Sequence, residues 1–351
     1  MLLAVRQHDE HMAAHADPRA GNDEARATVS SAALPEGFVA RPPRAEEAAA
    51  VAAVLNACDV ADIGLSTTDP GDVERWWREP GFDLSRDAWV VEAPDGSLAG
   101  YEQFEADGGG DGPRLDGYTH PAHLGRGIGS WLLDAAERRA VEDAAERGRT
   151  GPVPVFHGCW SGTEPSRLLR ARGYGWVRCF LRMGIDLDGP PPPPAWPEGI
   201  RVAGLERGVD ERAFYEALEE AFADHWNWPR RSFEDWVAHK IDNEPGFDAS
   251  LWFRAMDGED VAGGLIARPR APEEDDAAWV SDLAVRRPWR GRGIGQALLL
   301  HAFGVFHERG VRSVMLAVDD DSPTGATRLY ERAGMRVVRR IDVFRKDLTQ
   351  D

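Results

Sequence analysis

The sequence is short of several things that would each have named a function class. It has three cysteines, Cys58, Cys159 and Cys179, odd in number and far apart. That excludes a disulfide scaffold and a CxxC zinc site, and it fits a reducing cytoplasm. It has two lysines, Lys240 and Lys346, and arginine everywhere else, a bias that a GC-rich genome explains more simply than function does. No apolar run approaches the ~20 residues that a membrane span needs, and no basic-then-apolar leader opens the chain. Cations as a whole are scarce: 41 Lys+Arg against 60 Asp+Glu leave a net charge of −19. Such a surface repels phosphate backbones and anionic lipid, so nucleic-acid and membrane partners are not expected.

What is present is a domain written twice. The chain has 351 residues, 42% of them hydrophobic, which suits two ordinary cores. Pro35-Glu36-Gly37 recurs as Pro197-Glu198-Gly199, and Glu79-Pro80-Gly81-Phe82-Asp83 as Glu244-Pro245-Gly246-Phe247-Asp248. Gly125-Arg126-Gly127-Ile128-Gly129 recurs as Gly291-Arg292-Gly293-Ile294-Gly295. The three spacings, 162, 165 and 166, are nearly one offset, and a period that long means whole domains rather than a solenoid. Gly189 and the five prolines Pro190 to Pro194 lie between the copies and favour a stiff spacer. The expected layout is a mobile tail over 1–33, domains over 34–189 and 196–351, and a linker over 190–195. His8, His11 and His15 lie in the tail without a scaffold, so no metal site is expected.

Each copy repeats one order of elements. Apolar residues recur at helical spacing over Glu46–Cys58 and Asp210–Ala223, with second helices over Pro70–Trp77 and Ser232–Lys240. Hairpins follow, Ala88–Glu92 with Leu98–Glu105 around Asp95-Gly96, and Ser250–Ala255 with Val261–Arg268 around Asp257-Gly258. In the second copy a strand over Ala278–Val285 leads into the glycine loop, and a helix runs from Gly295 to Arg309. A strand over Val311–Val318, a short helix over Thr324–Arg332 and terminal strands over Met335–Lys346 complete it. The fold class is α/β in the mixed, α+β sense: two tandem domains, each a mostly antiparallel sheet flanked by helices.

The string Arg290-Gly291-Arg292-Gly293-Ile294-Gly295 sits where a strand ends and a helix begins. Glycines there turn backbone N–H groups inward and the helix adds partial positive charge, which together suit a pyrophosphate. A Rossmann fingerprint follows the first strand of its domain, whereas this loop comes about 95 residues into each copy. A P-loop needs GxxxxGK[ST], and that string does not occur. Arg286, Arg287, Arg290 and Arg292 reverse the chain's sign locally.

Residues 279–346 resemble the signature region of the GNAT superfamily of acyl-CoA-dependent N-acetyltransferases. Arg290 to Gly295 is similar to that family's (Arg/Gln)xxGx(Gly/Ala) loop, and Leu329-Tyr330-Glu331-Arg332-Ala333-Gly334-Met335 to its C-terminal Leu-Tyr-x-x-x-Gly-Phe element. The two-copy layout, over about 35–348, resembles the tandem members that include mycothiol synthases. The resemblance implies acetyl-CoA as cosubstrate, held between splayed strands by backbone around Leu283, Ala284 and Val285. It places the diphosphate on the amides of Arg290, Gly291, Arg292, Gly293, Ile294 and Gly295. Ser322 stands where the family has an asparagine against the pantetheine arm, and Trp279 where mycothiol synthases have a glutamate, which sets the mycothiol-type acceptor in question.

Acyl transfer to an amine needs a neutral nucleophile, a stabilised oxyanion and a proton for the thiolate. The resemblance assigns the proton to Tyr330. Asp282, on the strand before the glycine loop, and Glu220, near the end of the copy's first helix, are candidate bases, with Asp224 and His225 just beyond Glu220. The stretch Ala221 to Pro229, aromatic and acidic, would form the acceptor pocket for a cationic, ring-bearing or sugar amine. In the first copy Leu124 replaces Arg290 and Leu169 replaces Tyr330, so that copy is expected to be silent. The expected function is a cytoplasmic N-acetyltransferase for a small-molecule amine, working as a monomer or homodimer without metal. A protein N-acetyltransferase and a non-catalytic acyl-CoA-binding regulator are the alternatives.

Overall fold

The hairpin expected around Asp95-Gly96 forms from Ala88–Glu92 (β2) and Leu98–Glu105 (β3), with Gly96 taking φ 85° at the turn. It belongs to a computed structural model that describes residues 33–106, 112–223, 231–244, 246–272, 274, 276–321 and 325–350. Among these residues the chain divides into two units, one of 33–178 with 341–350, the other of 179–340.

The first unit carries Val39–Arg41 (β1), the β2–β3 hairpin, Arg114–Thr119 (β4) and Val153–Trp160 (β5). Its sheet is finished by Ile341–Leu348, the end of the chain's last strand, Arg336–Leu348 (β12), antiparallel to β5. Only β4 and β5 run parallel, and their pairing covers just Arg114 and Leu115. Helices Ala48–Ile63 (α1), Pro70–Trp77 (α2), Ile128–Glu146 (α3) and Glu164–Ala171 (α4) flank it.

The second unit repeats the plan with Ile200–Gly204 (β7), Trp252–Asp257 (β8), Asp260–Arg268 (β9), Ala277–Val285 (β10) and Ser313–Asp319 (β11). Here the outer strand is the end of Gly175–Asp186 (β6), whose Phe180–Asp186 pair antiparallel with β11. Its helices are Glu211–Phe222 (α5), Phe233–Val237 (α6), Ile294–Glu308 (α7) and Ala326–Arg332 (α8). The last strand of each repeat therefore completes the sheet of the other repeat's unit, so the units are interrupted in sequence at 179 and 341 instead of meeting at the proline run. Both strands dock antiparallel on equivalent partners, and hydrophobic pattern alone does not say which copy a strand will join.

Helix α5 packs on the second sheet through a missing side chain. A Cβ at Gly264 on β9 would lie 2.0 Å from the Phe214 ring, so only glycine admits that fully buried phenylalanine. Leu298, Phe303 and Phe306 of α7 fill the core with exposures of 0%. The helix expected over Ser232–Lys240 stops at Val237 and continues as one wide turn, Ala238–Asp242, whose i→i+5 bond runs from the Asn243 N–H to the Ala238 carbonyl at 2.9 Å.

Candidate active site

The site in the second unit begins with two parallel strands that part. β10 and β11 pair from Ala277/Ser313 to Val280/Leu316 and no further, although β10 continues to Val285 and β11 to Asp319. Beyond that point β11 is paired to β6, while β10 stays paired to β9. A bulge between Val280 and Asp282 bends β10 at the place where the strands separate. The backbone of Leu283, Ala284 and Val285 therefore lines an open notch, Leu283 and Val285 half-buried and Ala284 buried.

The glycine loop closes one end of the notch. Gly291 and Gly293 take φ 75° and 88°, a region that β-carbon-bearing residues avoid, and Gly293 caps α7. A Cβ at either position would meet open space, since the loop is exposed. The Arg290 amide donates to the Arg287 carbonyl at 3.2 Å and the Ala297 amide to the Gly293 carbonyl at 3.0 Å. Among the described residues, the amides from Gly291 to Gly295 meet no backbone carbonyl, as befits the first turn of a helix. Gly295 lets α8 approach: its Cβ would sit 2.9 Å from Leu329.

The arginines around the loop do other work than the sequence suggests. Arg290 spans two carbonyls, donating from Nε to Val285 O at 2.9 Å and from Nη2 to Ala221 O at 2.7 Å. It thus ties the end of β10 to the end of α5. Arg286 pairs with Glu220, Nε to Oε2 at 2.7 Å, and lies over the Trp289 ring at 5.0 Å. Arg292 faces Asp257 at 3.7 Å. The local reversal of charge is thereby smaller than the string implies, and the backbone N–H groups are the stronger anion donors.

Tyr330 lies on α8, buried, next to the motif glycine Gly334 with its φ of 95°. Burial, and then the charge of Asp282, push its phenol well above the usual tyrosine range, so the hydroxyl keeps its proton. Asp282 sits at the parting of the strands, 1% exposed, with Lys240 Nζ 2.8 Å from its Oδ2. An opposite charge at that distance weakens a carboxylate as a base. Glu220 is at the surface in its pair with Arg286. The charge of Asp282 thus reaches Tyr330, while Glu220, near the end of α5, is paired with Arg286 beside the loop. Ser322 and residues 224–229 of the acceptor stretch, Asp224 and His225 among them, lie outside the described residues.

Two residues of this site carried no signal in the sequence. Lys240 stood out only as a rare lysine. Arg182, fully buried on β6, lies over the Trp279 ring at 5.2 Å and comes from the repeat that was assigned to the other domain. In the first unit the loop keeps its shape, with Gly125 and Gly127 at φ 73° and 84°, but Leu124 is half-exposed and Leu169 is packed in the core.

Residues 212–335 match the family model described as acetyltransferase (GNAT) family. A mycothiol acetyltransferase of Geodermatophilus obscurus is 30% identical over 295 residues, covering 82% of this chain and 90% of that protein. The chain belongs to the GNAT acetyltransferase family. A second mycothiol acetyltransferase, from Thermobispora bispora, is 32% identical over 243 residues, 68% of this chain and 76% of that one. Among solved structures, a GCN5-related N-acetyltransferase from Sphaerobacter thermophilus shares 38% identity and a TM-score of 0.76, over 91% of this chain and 99% of that one. A tandem GNAT protein from the clavulanic acid biosynthesis pathway shares the fold, with a TM-score of 0.67 at 19% identity over 90% and 100% of the two chains. The chain is accordingly an acetyltransferase with two GNAT-like units. No described helix is long and apolar enough to cross a membrane, and no described group of His, Cys, Asp or Glu is arranged to hold a metal.

Proposed function

We propose that this GNAT acetyltransferase moves the acetyl group of acetyl-CoA to the primary amine of a small molecule, in its second unit. The observation that carries the reading is the parting of β10 from β11 after Val280 and Leu316, together with a helix start whose amides, among the described residues, meet no backbone carbonyl. A thioester arm laid in that notch would find backbone N–H and C=O groups that the sheet has left over. Its diphosphate would rest on the amides of Gly291 to Gly295.

The chain's residues then divide the work. A strand N–H near Leu283 holds the carbonyl oxygen as charge builds on it. The neutral amine attacks the carbonyl carbon directly, the C–N bond forms as the C–S bond breaks, Tyr330 gives its proton to the departing thiolate, and the proton shed by the new amide nitrogen passes through water to restore the phenol. Asp282 is read as a fixed negative charge facing the developing ammonium, since its pair with Lys240 lowers its basicity. The names of the relatives at 30% and 32% identity support a small-molecule acceptor over a protein one. Trp279, buried under Arg182 where the family resemblance implies a glutamate, supports an acceptor whose contacts differ from theirs.

A panel of amines tests this with purified protein and acetyl-CoA, including cysteinyl-glucosamine, aminoglycosides and N-terminal peptides, read by mass spectrometry. The reading expects acetylation of at least one small amine. Acetylation of peptides alone, or none with CoA left untouched, would contradict it.

A further inference from the structure

The second unit holds a buried carboxylate, Asp282, whose charge acts on Tyr330, and the cation paired with it is one of the chain's two lysines. Lys240 reaches Asp282 because the chain leaves α-helical geometry. The wide turn Ala238–Asp242 carries it, and the turn's extra residue aims the side chain at β10, where Nζ stands 2.8 Å from Oδ2. The two side chains are 12% and 0% exposed, so the pair is shielded from water and salt. Wide turns of this kind interrupt helices mostly at functional sites.

The pair is particular to this unit. Asp116 occupies the place of Asp282 in the first repeat, 166 residues earlier, and is approached there by the Tyr118 hydroxyl at 3.4 Å. Arg75, which corresponds to Lys240 at an offset of 165, pairs with Asp72 on the surface. The silent-looking repeat thus keeps the aspartate and lacks the lysine.

We propose that Lys240 is a positioning residue for acetyl transfer, holding Asp282 ionised and oriented at the parting of β10 and β11, where its charge governs Tyr330. The inference rests on the reading of Tyr330 as proton donor. Among the described residues, Lys240 of the wide turn contacts Asp282, and the charge of Asp282 acts on His239 of the same turn and on Tyr330 of α8, while Arg268 of β9, ion-paired with Glu244 at 2.8 Å, acts on His239. His239 is pushed down to about 4 by desolvation and by the cations of Arg231 and Lys240, so it stays neutral near neutral pH. Lys240 is the cation hydrogen-bonded to Asp282 Oδ2, and removing it lets burial raise the proton affinity of that carboxyl.

The test is the pH dependence of kcat/KM for acetyl-CoA consumption, with cysteinyl-glucosamine or another amine turned over in the panel as acceptor. The acceptor's own ammonium titrates alike in every variant. Wild type and Lys240→Arg should share one profile. Lys240→Met should add an inflection between pH ~5 and ~9, where buried carboxylates titrate, with rate lost on its acid side. That inflection should vanish in Lys240→Met/Asp282→Asn. If Lys240→Met does not fold, Asp282→Asn carries the test alone: its basic limb should move to lower pH, because the charge that raises the phenol is gone. A uniform loss of rate with an unchanged profile in Lys240→Met would overturn the proposal and leave a purely structural ion pair, as would an unmoved basic limb in Asp282→Asn. Rate and profile unaltered by Tyr330→Phe would instead sink the reading of Tyr330, and the Lys240→Met inflection would still report on Asp282.

Discussion

The Tyr330 phenol, carried by α8, feels the charge of the Asp282 carboxylate on β10. Both side chains are buried, and they approach the notch from a helix and a strand that are remote in sequence. A phenol that keeps its proton and a buried carboxylate are thus coupled within the second unit.

Removing only the hydroxyl tests the donor. Tyr330→Phe keeps the ring in the core and should lower kcat by about 100-fold, the ordinary scale of a single acid–base group, with the KM for acetyl-CoA little changed. Because burial and Asp282 both raise the phenol, it stays protonated beyond the usual tyrosine value of ~10, and the wild-type rate should not fall through pH 9 on its account. Steady-state kinetics check both, and an unchanged kcat would remove the assignment.

The two glycine loops make a matched pair of tests. Gly293 and Gly127 have φ 88° and 84°, so alanine at either should cost ~1–2 kcal/mol of stability, read by denaturant unfolding. Only Gly293→Ala should also raise the KM for acetyl-CoA. Equal effects on KM from both would mean that the first unit takes part in donor binding.

Arg290 is expected to matter through its carbonyl contacts. Arg290→Ala frees Val285 O and Ala221 O and loosens the corner between β10, α5 and the loop. The KM for acetyl-CoA should rise about tenfold, the scale of one charged hydrogen bond. Lysine should not restore it, since a single ammonium cannot span two carbonyls as a planar fork does. Full rescue by Arg290→Lys would show that charge alone matters.

Much of this was legible in the residues. The hairpin turns at Asp95-Gly96 and Asp257-Gly258, the strand before the glycine loop and the helix after it stand where alternation and turn chemistry put them. Tyr330 and Asp282 stand out as candidates by motif and by strand position. The partners of the charges were not legible. Arg290 reads as a phosphate ligand in a string of cations, and nothing local says that two carbonyls will take its guanidinium. Lys240 lies 42 residues from Asp282, on a helix that the apolar period extends unbroken, and the wide turn that brings them together is a tertiary outcome. The exchange of β6 and β12 between units was hidden for a similar reason. Two strands with like patterns can complete either sheet.

The first unit offers a stability test of its own. Glu102 is 2% exposed, and its carboxyl lies against Gly117, where a Cβ would stand 1.9 Å from Oε2. Burial first, and then Asp116 and Glu137, raise its pKa well above normal. A raised folded value means that its contribution to stability is whole below the unfolded value of ~4.3 and declines as pH climbs towards the folded one. Glu102→Gln should therefore gain thermal stability over wild type by an amount that grows with pH above 5. A gain independent of pH, or a loss, would contradict the assignment.

The central claim is that the amides at the start of α7 and the parted backbone of β10 hold the acyl donor. Isothermal titration of wild type, Gly293→Ala and Gly127→Ala with CoA measures it directly. The expected result is binding that weakens at least tenfold in Gly293→Ala and is unaltered at the second unit's site in Gly127→Ala. Binding that survives Gly293→Ala undiminished, or that Gly127→Ala alone abolishes, would contradict the account.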